Sequence, residues 1–290
     1  MDIEWLSWAN PVSIWWGFLL AVSGLNIALW LLLNRHLRRQ ALRLELVLLA
    51  SAVYVFGCAF RSVFPRADVQ RICLFDTWLS SVALGRSIAT IAEICFVIQW
   101  AIVLRQLAQT AQVDPVRTIA RIILPLIVVA ECCSWYAVIT TNYIGNTIEN
   151  SLWAATFLLI GTGLLLLLPR FIGSAQAVIA LAIVGIAGYV IFLFTVDVPM
   201  YFARWQTDLA SGKEFLGFAE GLRDAGVRWV VTHDFNDWKD EIAWMSLYFS
   251  IAVWASLTLC AIVLFKDRLL HYRARPRLAL HLLRGFASIE

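Results

Sequence analysis

Residues 176–198, QAVIALAIVGIAGYVIFLFTVDV, form the stretch on which the fold turns. The run is almost wholly apolar. As a helix rising 1.5 Å per residue it would be about 34 Å long, enough to cross a hydrocarbon core about 30 Å thick. Six further apolar runs of similar kind lie at about 13–34, 44–64, 80–107, 118–141, 151–169 and 242–265. They predict an all-α membrane protein, a bundle of seven transmembrane helices within one domain of residues 1–290. The composition agrees. Hydrophobic residues make up 61% of the chain and charged ones 15%, with a mean hydropathy of +0.77. Soluble domains carry about 25% charged residues, so there is too little polar surface here to cover a soluble globule. No soluble catalytic module and no cleavable signal peptide are expected, since MDIEWLSWANP at residues 1–11 is acidic and lacks a basic start.

Charge sets the expected orientation. Lys and Arg gather on the inner side of membranes, above all in short loops. RHLRRQALR at 35–43 is basic, whereas the N-terminal segment has no cation. With the N-terminus outside and the C-terminus in the cytoplasm, fourteen Lys and Arg fall inside and eight outside, with Arg86 left within a span. Residues 199–241 become a long outer loop and 266–290 a basic cytoplasmic tail suited to an anionic membrane surface. In the loop, KEFLGFAEGL at 213–222 puts Phe215, Phe218, Ala219 and Leu222 on one helical face, and the β-favouring VRWVV follows at 227–231. The loop is expected either to cap the bundle or to rest on lipid headgroups. A bacterial inner membrane suits this economy of loops.

Charges within spans mark the candidate site, because an ionised side chain at a helix centre in hydrocarbon costs at least about 2.5–3.5 kcal/mol. In the third span Arg86, Thr90, Glu93, Val97 and Trp100 recur at spacings that share one helical face. The fourth adds Glu131 at similar depth, followed by Trp135. Two readings compete. Glu93 and Glu131 share a proton, or each pairs with an arginine, Arg86 or Arg61 from the end of the second span. Arg61 and Arg86 together could also form a cationic rim for an anionic head group. Eleven of the fourteen tryptophans fall in the outer half, and Trp135, Trp153 and Trp244 are candidate pocket walls. The expected ligand-binding set is therefore Arg61, Arg86, Thr90, Glu93, Glu131, Trp135 and Trp244.

Other chemistries lack their residues. None of the four histidines lies in a span, which argues against haem held between helices. The seventh span has no lysine, which excludes a retinal Schiff base there. Phosphate-cradling loops, zinc-protease and nucleophile-elbow motifs are missing. The acids of THDFNDWKDE at 232–241 match no calcium loop, so no metal is expected, and they read as positioning the last span. Five of six cysteines lie in apolar runs, with Cys73 in a polar connection, and read as fillers. There is no matched inverted repeat, and Gly185 and Gly188 do not interrupt the sixth span.

The first functional expectation is a non-catalytic sensor or accessory subunit that holds a lipid-like or other small apolar ligand in an outward polar and aromatic cavity. The alternatives are a proton-coupled transporter using Glu93 and Glu131, and an intramembrane lipid-modifying enzyme. The bilayer, such a ligand and other membrane subunits are the expected partners. Nucleic acid is not, no catalytic residue is assigned, and any cofactor stays unassigned.

Overall fold

The computed structural model describes residues 6, 7, 9–38 and 45–264. Trp5, Trp8, Arg39, Arg43 and the basic tail lie outside the described residues. Among the described residues seven helices are long and apolar enough to cross a membrane, and the protein is a multi-pass helical bundle. They begin as α1 (Pro11–Arg38), α2 (Glu45–Val63), α3 (Val82–Ala111), α4 (Asp114–Thr140) and α5 (Ile144–Leu167). The sixth span is α6 (Ser174–Phe192), a π-helical turn (Leu193–Asp197) and α7 (Val198–Ala210). After α8 (Phe218–Val227), the seventh span is α9 (Phe235–Leu247), a second π turn (Tyr248–Ala252) and α10 (Val253–Leu264). Helices suit hydrocarbon because each backbone N–H and C=O finds its partner within the segment.

Three boundaries differ from expectation in ways that matter. Helix α5 starts at Ile144, seven residues before the apolar run at 151, and so carries Glu149 into the bundle. The sixth span continues past Pro199 to Ala210. A proline lacks the amide that would bond to the residue four back, and the wider π turn just before it absorbs the mismatch. The seventh span begins at Phe235, so the expected loop of 199–241 reduces to 211–234, itself holding α8.

Neighbouring spans pack in sequence order from α1 to α6, and α10 returns to pack against α1, α2 and α3. Helix α3 is central. Its buried face carries Arg86, Ala89, Glu93, Phe96, Val97 and Trp100. An aromatic seam crosses the middle of the bundle. Tyr54 stacks on Phe96 at 4.6 Å, Trp153 on Phe157 at 6.0 Å, and Tyr189 meets Phe157 edge-on at 4.9 Å. Helix α6 is the outlier: it rests chiefly on α5, and Leu181, Val184 and Ile191 stand more than 60% exposed, as lipid-facing residues do.

One end of the bundle carries a folded cap. Strand β1 (Arg66–Ala67) pairs antiparallel with β2 (Ile72–Cys73), which pairs parallel with β3 (Val230–Val231). Arg71, in the left-handed region at φ 62°, binds three parts of this cap. It donates to Asp224 on α8, to the Val138 carbonyl on α4 and to the Asp68 carbonyl. Helix α8 lies on the ends of α3 and α4 with Gly221 against the Ile139 carbonyl, an approach that leaves no room for a Cβ. The face buried there is Gly221 and Ala225, while Phe218 and Leu222 of the apolar face point outward.

Candidate functional site

The α3 face brings its charges inward as the spacing predicted, and α4 and α5 add theirs at the same depth. Arg86 Nη2 lies 3.0 Å from Glu93 Oε2, 2.6 Å from Glu131 Oε2 and 3.3 Å from Glu149 Oε1. All four residues are buried. Thr90 Oγ1 donates to Glu131 Oε2 at 2.6 Å, and the Trp135 indole donates to Thr90 at 3.1 Å. Tyr248, at the start of the second π turn, donates to Glu93 Oε1 at 2.8 Å, and Asn146 donates to Glu149 Oε2 at 3.1 Å. Three helices thus converge on one guanidinium nitrogen, and the second π turn joins them through Glu93.

That nitrogen is over-subscribed. It carries two hydrogens and faces three carboxylate oxygens, while Arg86 Nε and Glu131 Oε1 have no hydrogen-bond partner among the described residues. The three carboxylates offer oxygens within 4.8 Å of one another, a spacing that would suit a metal ion. The place of that ion between them is taken by Arg86 Nη2, so the donor set does not fit a metal as it stands.

Toward the cap the next charges are Arg61, Arg66 and Asp68. Arg66 Nε donates to Asp68 Oδ1 at 2.8 Å, its Nη1 donates to the Ser81 carbonyl, and its guanidinium covers Gly85, where any Cβ would strike it. Burial pulls the Arg66 guanidinium down to about 10, partly offset by Asp68. Burial also works to raise the Asp68 carboxyl, but Arg66 and Arg61, helped by Arg86 and Arg71, outweigh it and hold the group below its ordinary value. Counting this layer with the trio, three guanidiniums (Arg61, Arg66, Arg86) face four carboxylates, because Arg71 is engaged with Asp224. The buried set still lacks one positive charge.

Five of the seven expected residues, Arg86, Thr90, Glu93, Glu131 and Trp135, meet in this network. Arg61 does not pair with a glutamate: the β1–β2 hairpin folds Asp68 over it, 3.8 Å away, and its guanidinium sits 6.0 Å from the Phe249 ring. Trp244 reaches the cluster only at second hand. Its indole donates to Glu241 at 2.6 Å, and its ring meets Tyr248 edge-on. Trp153 packs on Phe157. Sequence reasoning missed Glu149, Asn146 and Tyr248. The signal for Glu149 was its spacing to Trp153, Phe157, Ile160 and Leu164, one buried helical face. The acids at 234–241 position the last span. Asp234 caps α9 by accepting from the Asn236 amide, and Asp240 and Glu241 both receive Arg204 at 3.1 Å.

At the end of the bundle away from the cap, a groove of about 410 Å³ runs between α1 and α10, lined by Leu29, Leu32, Leu33, His36, Trp254, Leu257, Thr258 and Ala261. None of the carboxylates borders it. No family model matches the chain, and neither does any curated protein or any solved structure.

Proposed function

We propose that the protein is a proton-coupled membrane transporter whose working element is the trio Glu93, Glu131 and Glu149 around Arg86. The observation that carries this reading is the surplus of buried carboxylates over guanidiniums. An architectural ion pair would be balanced. Two like charges about 4 Å apart repel by about 4 kcal/mol even at an effective dielectric constant of about 20, so a buried excess carboxylate is offset by a proton or by a mobile cation. Arg86 already holds the cation position, which favours the proton.

Polar groups also continue beyond the trio. Tyr54 Oη, buried and without a hydrogen-bond partner among the described residues, belongs to the ring that meets Tyr248 at 6.0 Å. Two turns along α3 from Glu93, Ser256 joins Gln99 at 3.0 Å and Ser51 at 3.1 Å across α10, α3 and α2. A proton leaving Glu93 by way of Tyr248 would have this seam before it. The two π turns, at Leu193–Asp197 and Tyr248–Ala252, give spans six and seven the local irregularity that moving segments need.

The reading as a sensor or accessory subunit with an outward lipid-binding cavity has less behind it, because Thr90, Trp135 and Trp244 spend their polar atoms on protein partners. An enzyme reading has one hydroxyl beside a carboxylate, Thr90 on Glu131, but the accepting oxygen is already held by Arg86. The bacterial inner membrane remains our assignment of place.

The test is infrared spectroscopy of the full-length protein in lipid, following the protonated-carboxyl band as pH is varied about neutrality. The expected result is a titrating band that shrinks or shifts in Glu93→Gln, Glu131→Gln and Glu149→Gln. A spectrum with no protonated buried carboxyl at any pH would reduce the trio to a fixed structural core.

A further inference from the structure

The sixth span carries one buried acid that the trio does not use. Asp197 closes the first π turn, is 8% exposed, and has no hydrogen-bond partner among the described residues. It lies within electrostatic reach of Glu149 below it and of Glu241 and Arg204 toward the cap. A buried carboxylate without a donor is costly, and in a native protein it calls for an occupant.

Its surroundings say which kind. One turn on, Tyr201 stacks with Tyr143 of the α4–α5 connection, ring centroids 6.1 Å apart. Two of the protein's own cations already sit on this pair. The Arg204 guanidinium carbon is 5.6 Å from both centroids, and Lys213 Nζ is 5.3 Å from that of Tyr143. Burial pushes the Tyr143 phenol up to about 12, so it offers a neutral aromatic face. Aromatic faces near a mostly buried carboxylate are the chemistry that holds ammonium and guanidinium groups. A hard metal ion would want six or more oxygens, which one free carboxylate does not supply.

Span six leans on α5, span seven packs with α1, α2 and α3, and near the cap the two are tied by Arg204 to Asp240 and Glu241. Asp240 is half exposed, so this tie borders the surface.

The geometry points to a binding site for a small organic cation between spans six and seven, anchored on Asp197 beneath Tyr143 and Tyr201, with Arg204 as the built-in plug that an incoming cation displaces. The inference rests on the proton-coupled reading and names its substrate class: a cation arriving at Asp197 would favour release of a proton from nearby Glu149, so that charge is conserved in an exchange.

Benzylammonium, with benzyl alcohol and benzoate as neutral and anionic controls, tests this by calorimetry and thermal stabilisation of the full-length protein in nanodiscs. Only the cation is expected to bind. Its affinity should fall at least about tenfold in Asp197→Asn, as for a desolvated charge pair broken on one side. It should survive in Asp197→Glu, which serves if the Asn variant does not fold, and rise in Arg204→Gln. Binding that is equal in wild type and Asp197→Asn, or no binding even in Arg204→Gln, overturns the site. The two readings fail separately. Asp197-dependent binding with no titrating carboxyl band removes the proton coupling alone, and a titrating band without cation binding removes this site alone.

Discussion

Arg86 has two hydrogens on the nitrogen that three glutamates surround, and this mismatch shapes what substitutions there should do. Arg86→Met leaves the buried carboxylates facing one another without a cation, and removing one partner of a buried ion pair costs about 3–5 kcal/mol. Because the penalty is the uncompensated charge, adding Glu131→Gln to Arg86→Met should restore part of the lost thermal stability in detergent. A double variant no more stable than the single one would mean the carboxylates were already neutral. Asp68 offers a pH test with a definite sign. Its carboxyl is held below its ordinary value by Arg66 and Arg61 despite burial. Its stabilising contribution is therefore fully present above the unfolded pKa and lost as pH falls through the folded one. Asp68→Asn should be about 2 kcal/mol less stable at neutral pH, and the gap should close only below about pH 4. A gap that closes near neutrality would contradict the pairing. Arg86 and Glu93 were legible in the sequence because seven residues on one helix return to the same face. Glu149 was not, since the polar Glu149 and Asn150 precede the apolar run at 151, whereas the helix starts at Ile144. Tyr248 was hidden for another reason: its partner lies 155 residues away, and no local spacing carries that contact.

At the scale of elements, the sequence announced all seven spans but erred at the ends, where polarity and proline mislead. The expected sixth span stops at Val198, just before Pro199, yet the helix passes the proline with a π turn in place of the missing hydrogen bond. In helix α8, Phe218 and Leu222 share the apolar face that the sequence offered either to the bundle or to lipid headgroups, and it is Gly221 and Ala225 that make the contact with the bundle because backbone meets backbone there. Gly221→Ala should therefore lift α8 off the Ile139 carbonyl, cost about 1–3 kcal/mol as overpacking does, and open residues 211–234 to protease. Phe218→Ala, on the 69% exposed side, should stay within about 0.5 kcal/mol and keep the segment protected. If instead the Phe218 variant is the one that becomes cleavable, the cap is held by its apolar face and the packing described here is wrong. The groups that Arg71 joins, on α4, α8 and the hairpin, make the cap one unit, so the two variants should differ in the whole segment rather than at single bonds.

For the molecule as a whole, the open question of which end faces the cytoplasm bears directly on the direction in which protons and cations would move. At the end away from the cap the described connections are short, and Arg35, Arg105, Arg121 and Arg170 stand at or near the helix ends there. At the cap end the cations are of another kind. Arg61, Arg66 and Arg71 are buried in contacts, Arg204 and Lys213 are paired with acids, Arg223 and Arg228 lie in the long cap segment, and Lys239 stands near the start of α9. The inside rule weighs Lys and Arg in short loops close to helix ends, and long or folded segments count for little. On that weighting we expect the cap to face outward and the Arg-rich end inward. Ser211 is exposed in the cap and Gln109 is exposed in the last turns of α3 at the opposite end. In intact cells, Ser211→Cys should react with a membrane-impermeant maleimide above the wild-type background, and Gln109→Cys should react only after permeabilisation. The reverse pattern would put the cap, and with it the Arg204 plug above Asp197, on the cytoplasmic side. Cations would then enter from the cell interior, and the seam from Tyr248 to Ser51 would lead protons outward. Labelling of both sites in intact cells would mean that the chain inserts both ways, and a coupled exchange with one fixed direction could not follow from this bundle.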